Sequence, residues 1–220
     1  MSEDKKTLIK YFLIALGVII IDQAVKLLVH FNMEMGQSGQ IKILGDFFKL
    51  HYLTNKGMAF GIEFGFVNGK LILTFLRLVA MVGISYYLYW LITKKSAAGL
   101  LLSMALILGG AIGNVIDSIF YGVFLDNAPL DAASPWFHGQ VIDMFYFDLW
   151  EGRISDSIPG FGGQYVALWP VFNVADASIF IGISIILIFQ KRFFKSGYEE
   201  QAEEVPATQT QESINTDSQA

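Results

Sequence analysis

The sequence predicts an all-α membrane protein: four transmembrane helices, a small extracytoplasmic β-rich platform, and both termini in the cytoplasm. Three observations point there. Hydrophobic residues make up 54% of the 220 positions and charged residues only 16%, too few charges for an ordinary soluble domain of this length. Four proline-free apolar segments, 8–29, 71–92, 98–121 and 171–190, each reach the roughly 20 helical residues that a hydrocarbon core of about 30 Å requires. The intervening segments alternate between a short basic link and two long stretches rich in glycine and aromatics.

Taken in order, span 8–29 follows Lys5, Lys6 and Lys10. Its first apolar run is too long for the core of a cleavable signal peptide, and "DQAVK" (22–26) follows that run where small residues would be expected. Within 30–70, "IKILGDFFKLHYLTNKGMAFGI" (41–62) mixes short apolar stretches with Gly and Asn punctuation, which predicts strands and turns. The link 93–97, "TKKSA", is basic. Segment 122–170 carries Trp136, Trp150 and Trp169 among many Phe and Tyr, the composition of an interfacial layer. After span 171–190 come Lys191, Arg192 and Lys195.

With four spans, the three basic clusters fall on one side, which the Lys/Arg bias makes cytoplasmic. Segment 122–170 holds only Arg153, although 30–70 holds Lys42, Lys49, Lys56 and Lys70. Residues 1–195 are therefore expected to form one four-helix domain. The polar, acidic stretch 196–220 lacks aromatics and any period and is expected to be a disordered tail.

Composition also excludes chemistry. There is no cysteine, so disulfides, thiolate metal sites and a cysteine nucleophile are out. The three histidines, His30, His51 and His138, form no i, i+4 pair. No metal, no cofactor and no nucleic-acid partner is expected.

Each span now has a direction, so the helical rise gives every polar residue a depth. Asp22 and Lys26 fall in the outer part of span one, Asn114 and Asp117 near the outer end of span three, and Asn173 and Asp176 in the first turns of span four. Asp143 precedes that span. Alone, each has a plain reading. Asp22 and Lys26 are an i, i+4 ion pair. Asn114 and Asp117 share a face and suit interhelical hydrogen bonds. Asn173 and Asp176 have the spacing of a helix cap, and Asp143 reads as a surface loop residue. Together they converge on one depth, the outer membrane–water boundary. Two shielded carboxylates at that boundary can share one proton, because like charges a few ångströms apart cannot both ionise. One then serves as general base on water while the other protonates the carbonyl oxygen or leaving amine. The residues alone do not say which two aspartates, or which substrate.

The blocks "DQAVK" (22–26), "TNKGMAFGI" (54–62), "GGAIGNVID" (109–117), "VIDMF" (141–145) and "FNVADASI" (172–179) resemble, in order and across residues 8 to 192, those of the bacterial lipoprotein signal peptidase (signal peptidase II) family. The resemblance implies an intramembrane aspartic endopeptidase of the bacterial inner membrane, active at its extracytoplasmic face. It implies removal of the signal peptide from prolipoproteins, just before a cysteine already carrying a diacylglyceryl group. The family's dyad falls on Asp143 and Asp176. Its supporting and substrate-binding positions match Asp22, Lys26, Asn55, Gly57, Asn114, Asp117 and Asn173, and its outer strands, a cradle, correspond to 41–62. A diacylglyceryl-modified prolipoprotein and membrane lipids are the expected partners, and a monomer the expected state.

Three departures stand out. The family's third-helix block usually ends Asp-Arg, whereas Ser118 follows Asp117, so Asp117 is expected to pair with another cation or to stay neutral. Segments 122–141 and 146–169 are longer than usual and read as insertions that alter substrate access, part of a lid. Lys56 and Met58 occupy positions that are often small or uncharged. Two other classes remain open on the residues: a small proton- or cation-coupled transporter using the outer carboxylates, and a non-enzymatic scaffold. Transport sites usually lie near the midplane at broken helices, whereas these acids lie to one side.

Overall fold

The computed structural model describes residues 2–55, 69–153, 155–157, 163, 165–167 and 169–194. Four helices in it are long and apolar enough to cross a membrane. Helix α1 is Glu3–Asn32, α2 is Gly69–Thr93, and α3 (Ala98–Ile116) continues through a π-turn, Asp117–Tyr121, into the short α4, Gly122–Phe124. The last span is α5, Val174–Phe193. Helix α1 extends past both ends of the expected segment. Helix α5 starts later, because Asn173 is extended and caps it.

Helix α3 is the centre of the bundle and packs against α1, α2 and α5. Its glycines allow this. A Cβ on Gly110 would collide with the Ala175 carbonyl, and one on Gly113 would lie 2.7 Å from Asp22 Oδ2. Tyr11, Ala15, Leu88, Leu91, Leu101, Ala105 and Leu108 form the core of one half of the bundle. Side chains such as Leu13, Ile20, Phe75, Val82 and Ile188 point outward, as lipid-facing residues do.

Strands β1 (Ile41–Leu44), β2 (Phe48–Asn55) and β3 (Val141–Phe147) form an antiparallel sheet in that order. The strand-and-turn reading of 41–62 thus holds through Asn55, and its remainder lies outside the described residues. A second pair, β4 (Glu151–Arg153) with β5 (Tyr165–Ala167), is antiparallel too. On one face of β3, Ile142, Met144 and Tyr146 are buried, and Ile142 and Met144 pack with Val29 of α1, Tyr52 of β2 and Tyr121. The alternation of a strand sends Asp143 and Phe145 to the opposite face.

Two features fix the sheet to the bundle. Residue Phe172 bridges β3, its carbonyl accepting from the amides of Met144 and Phe145 (3.1 and 2.8 Å) and its amide donating to Phe145 O at 3.0 Å. At the other contact, the π-turn offers its own carbonyls to donors outside the helix. Ser118 O accepts from Gly139 N at 3.1 Å, and Ile119 O from Phe137 N at 3.2 Å. Asn127 and Gln140 close the intervening loop through three mutual hydrogen bonds of 2.9 to 3.0 Å. The insertion expected at 122–141 is therefore anchored along the end of α3.

Candidate active site

One end of the bundle gathers the polar residues that the sequence placed at one depth. Asp22, Lys26, Asp117 and Asn173 are fully buried, Asp143 is 3% exposed, and Asp176 is half-buried. Asp143 is not the surface loop residue it resembles in isolation. It sits inside β3, opposite Leu53 in the register, because the hydrophobic face of that strand seats the sheet on the bundle.

Lys26 is the hub of the deeper half. Its ammonium lies 2.8 Å from Asp22 Oδ2 and 2.7 Å from Asp117 Oδ2, and donates to Asn114 Oδ1 at 3.0 Å. The i, i+4 pair is thus present, and Lys26 is the cation that Asp117 finds in place of a following arginine. The other oxygen of Asp22 accepts from Ala175 N at 2.8 Å, putting a carboxylate of α1 on the free amides at the start of α5. That is where the helix dipole favours negative charge.

The shallower half is held by three asparagines. Asn173 Oδ1 accepts from Asp176 N at 2.9 Å, capping α5. Its amide donates to Asp143 Oδ1 at 2.7 Å and makes longer contacts with Ile142 O and Asn114 Oδ1, both 3.3 Å. Asn114 donates to Asp176 Oδ1 at 2.8 Å. Asn55, two residues along β2 from the position opposite Asp143, donates to Asp143 Oδ2 at 2.8 Å. Both aspartates are therefore linked through one cap residue, and both oxygens of Asp143 are oriented. Burial, and then the negative charge of Asp176, push the Asp143 carboxyl up to about 7.

Of the residues expected here, Asp22, Lys26, Asn55, Asn114, Asp117, Asp143, Asn173 and Asp176 come together, while Gly57 lies outside the described residues, as do Lys56 and Met58. Four others belong to the cluster and were not foreseen. Gln23 donates to Asp117 Oδ1 at 2.9 Å, Asp22 Oδ2 at 3.1 Å and Gly113 O at 3.2 Å, and accepts from the Tyr121 hydroxyl at 2.9 Å. Arg77 of α2 donates to Ser118 Oγ at 3.1 Å, and that hydroxyl donates to Asn114 O at 3.0 Å. An arginine inside an apolar span is itself a site signal, and that signal was legible in "LTFLRLVAM". Among the described residues, no group of three or more His, Cys, Asp or Glu could hold a metal ion.

This arrangement can be set beside known proteins. The signal peptidase (SPase) II family matches residues 14–192. Similar proteins include the lipoprotein signal peptidase of Amoebophilus asiaticus, 52% identical over 181 residues, 81% of this chain and 76% of that protein. Those of Porphyromonas gingivalis (40% over 186 residues, 80% of each chain) and Pelodictyon phaeoclathratiforme (36% over 184 residues, 84% and 91%) follow. Among solved structures, a bacterial membrane enzyme determined in meso at 2.3 Å resolution superposes with a TM-score of 0.55 at 25% identity, covering 83% of this chain and 88% of that one. Another, at 1.9 Å, gives 0.52 at 25% identity over 81% and 90%. With residues 14–192 matched by the family and a relative 52% identical over 81% of its length, the chain belongs to the signal peptidase II family.

Proposed function

We propose that this protein removes signal peptides from diacylglyceryl-modified prolipoproteins, cutting before the lipidated cysteine, with Asp143 and Asp176 as an aspartic dyad. The observation that carries the reading is the shared asparagine cap: Asn173 binds the Asp143 carboxylate and the Asp176 amide at once. A strand and a helix are thereby tied together, the Asp143 carboxylate to the backbone at Asp176, before any substrate arrives. An outer segment ordered only by substrate, the arrangement a loop-borne Asp143 would need, is not required.

Near neutral pH the pair holds one proton, and Asp143 keeps it. Asp176 takes a proton from water as the water oxygen bonds to the scissile carbonyl carbon, and Asp143 gives its proton to the carbonyl oxygen. The tetrahedral diol then collapses. The C–N bond breaks, the nitrogen takes the proton from Asp176, and Asp143 recovers one from a hydroxyl, restoring the starting state. General acid–base steps of this kind contribute on the order of 10²–10⁴-fold each. Asn55 and Asn173 orient Asp143, Asn114 orients Asp176, and the Lys26 cluster fixes the start of α5 beneath them. The substrate's acyl chains lie among the helices, with the dyad at the extracytoplasmic face of the bacterial inner membrane. Both termini lie in the cytoplasm, and residues 1–195 act as one domain in a monomer.

Purified protein is incubated with a diacylglyceryl-modified precursor and with its unlipidated form. Cleavage of the lipidated form alone supports the reading. Equal cleavage of both, or of neither, contradicts it. The transporter alternative predicts carboxylate-dependent proton flux in liposomes, which a peptidase does not produce.

A further inference from the structure

The deeper and shallower halves of the site do not balance in charge. Lys26 has three N–H donors, and Asp22, Asp117 and Asn114 take all three at 2.7 to 3.0 Å. It is fully buried beneath the dyad, and two carboxylates already oppose its one charge. A dyad sharing one proton adds another negative charge beside the bilayer, where a carboxylate lacking a counter-charge is costly. Among the described residues, Arg77 answers it. Arg77 lies roughly two turns into α2, half-buried, and reaches Ser118, the residue that follows Asp117. A chain of contacts holds it there: Arg77 Nη1 to Ser118 Oγ, Ser118 Oγ to Asn114 O, and Asn114 Nδ2 to Asp176 Oδ1. Lys70 sits two turns away on the same face of α2. A small residue at 118 fits this geometry, because a hydroxyl there receives a cation delivered from the neighbouring helix.

We propose that Arg77 is a positioning residue for the dyad, its guanidinium keeping Asp176 the ionised partner so that the base stays on α5 and the acid on β3. The proposal rests on the dyad reading. It requires that the charge at position 77, rather than its bulk, govern the ionisation of the pair. The groups facing the guanidinium are Asp176 of α5, Asp117 of the π-turn, Asp143 of β3 and Lys70 of α2. Following the aspartate carboxyls directly separates the dyad members from Lys70.

The test compares wild type, Arg77→Gln, Arg77→Lys and Ser118→Ala by the pH dependence of kcat/KM on lipidated precursor. Carbon-13 titration of aspartate carboxyls is measured in parallel on the same proteins. In Arg77→Gln, the acid limb and the first ionisation of the dyad move up by about one pH unit. Arg77→Lys keeps both where wild type has them. Ser118→Ala, which loosens the guanidinium without removing its charge, shifts both in the same direction by less, and it serves if Arg77→Gln does not fold. A titration unchanged in Arg77→Gln, or unchanged in Ser118→Ala where the former does not fold, overturns the proposal, as does a lysine variant that behaves like the glutamine one. If carboxyl titrations shift as stated but wild type cleaves no precursor, the peptidase reading fails and the charge role stands. If wild type cleaves and the titrations do not move, the reverse holds.

Discussion

Lys26 shows what a single buried charge demands of its surroundings. An ammonium without water is tolerated only when every proton has an acceptor, and Asp22, Asp117 and Asn114 supply three. Lys26→Met removes the shared partner and leaves two buried carboxylates, a change that costs about 3–5 kcal/mol when a buried pair is broken. Thermal unfolding in detergent should show a large drop in Tm, with activity lost alongside. Asp143 makes the opposite kind of prediction. Its carboxyl is raised to about 7 by burial and by Asp176, and in the proposed mechanism it must be protonated to donate. The rate therefore falls as pH rises through about 7, a basic limb that a kcat/KM profile would reveal. The sign for stability agrees. The folded state holds a proton that the unfolded chain releases near pH 4, so this contribution is present below that pH and is lost as pH rises toward 7. Tm should decline over that window in wild type, and the slope should flatten in Asp143→Asn.

At the scale of elements, the start of α5 carries the site. One asparagine caps the helix through the Asp176 amide, Asp22 from α1 takes the Ala175 amide, and the preceding Phe172 pairs with β3. Asn173→Ala should therefore do two things: destabilise by about 1 kcal/mol as a lost cap, and release Asp143 Oδ1, lowering kcat more than KM rises. Steady-state kinetics beside thermal unfolding separates the two. Gly113→Ala places a methyl against Asp22 Oδ2 and should lower Tm and activity together. Much of this was readable in advance. Span number, depth convergence and the Asn-x-x-Asp cap follow from length, periodicity and spacing, all local properties of the chain. What was not readable was how β3 meets α5, since a bridge between Phe145 and Phe172 is a long-range pairing that no local pattern encodes. Asp143 looked like a loop residue for that reason. Gln23, beside a charged pair, and Arg77, alone in an apolar helix, are single residues that belong to no spaced motif.

On the scale of the whole molecule, the bundle and sheet divide the labour. Helix α3 holds the bundle together, and the sheet delivers one acid to the helix bearing the other. The proposed orientation puts the sheet and the loop after α4 outside, and the α2–α3 link inside. The chain has no cysteine, so single substitutions report cleanly. Trp150→Cys should react with a membrane-impermeant maleimide in intact cells, and Ser96→Cys only after permeabilisation; the reverse pattern inverts the topology. The central claim is that Asp143 and Asp176 together perform the cleavage, and it is tested most directly by product formation from diacylglyceryl-modified precursor, followed by mass spectrometry, for wild type, Asp143→Asn and Asp176→Asn. Wild type should release the intact signal peptide and leave the lipidated cysteine at the new amino terminus. Each asparagine variant, folded by circular dichroism, should be slower by at least about 10²-fold. Either variant cleaving at the wild-type rate would contradict it.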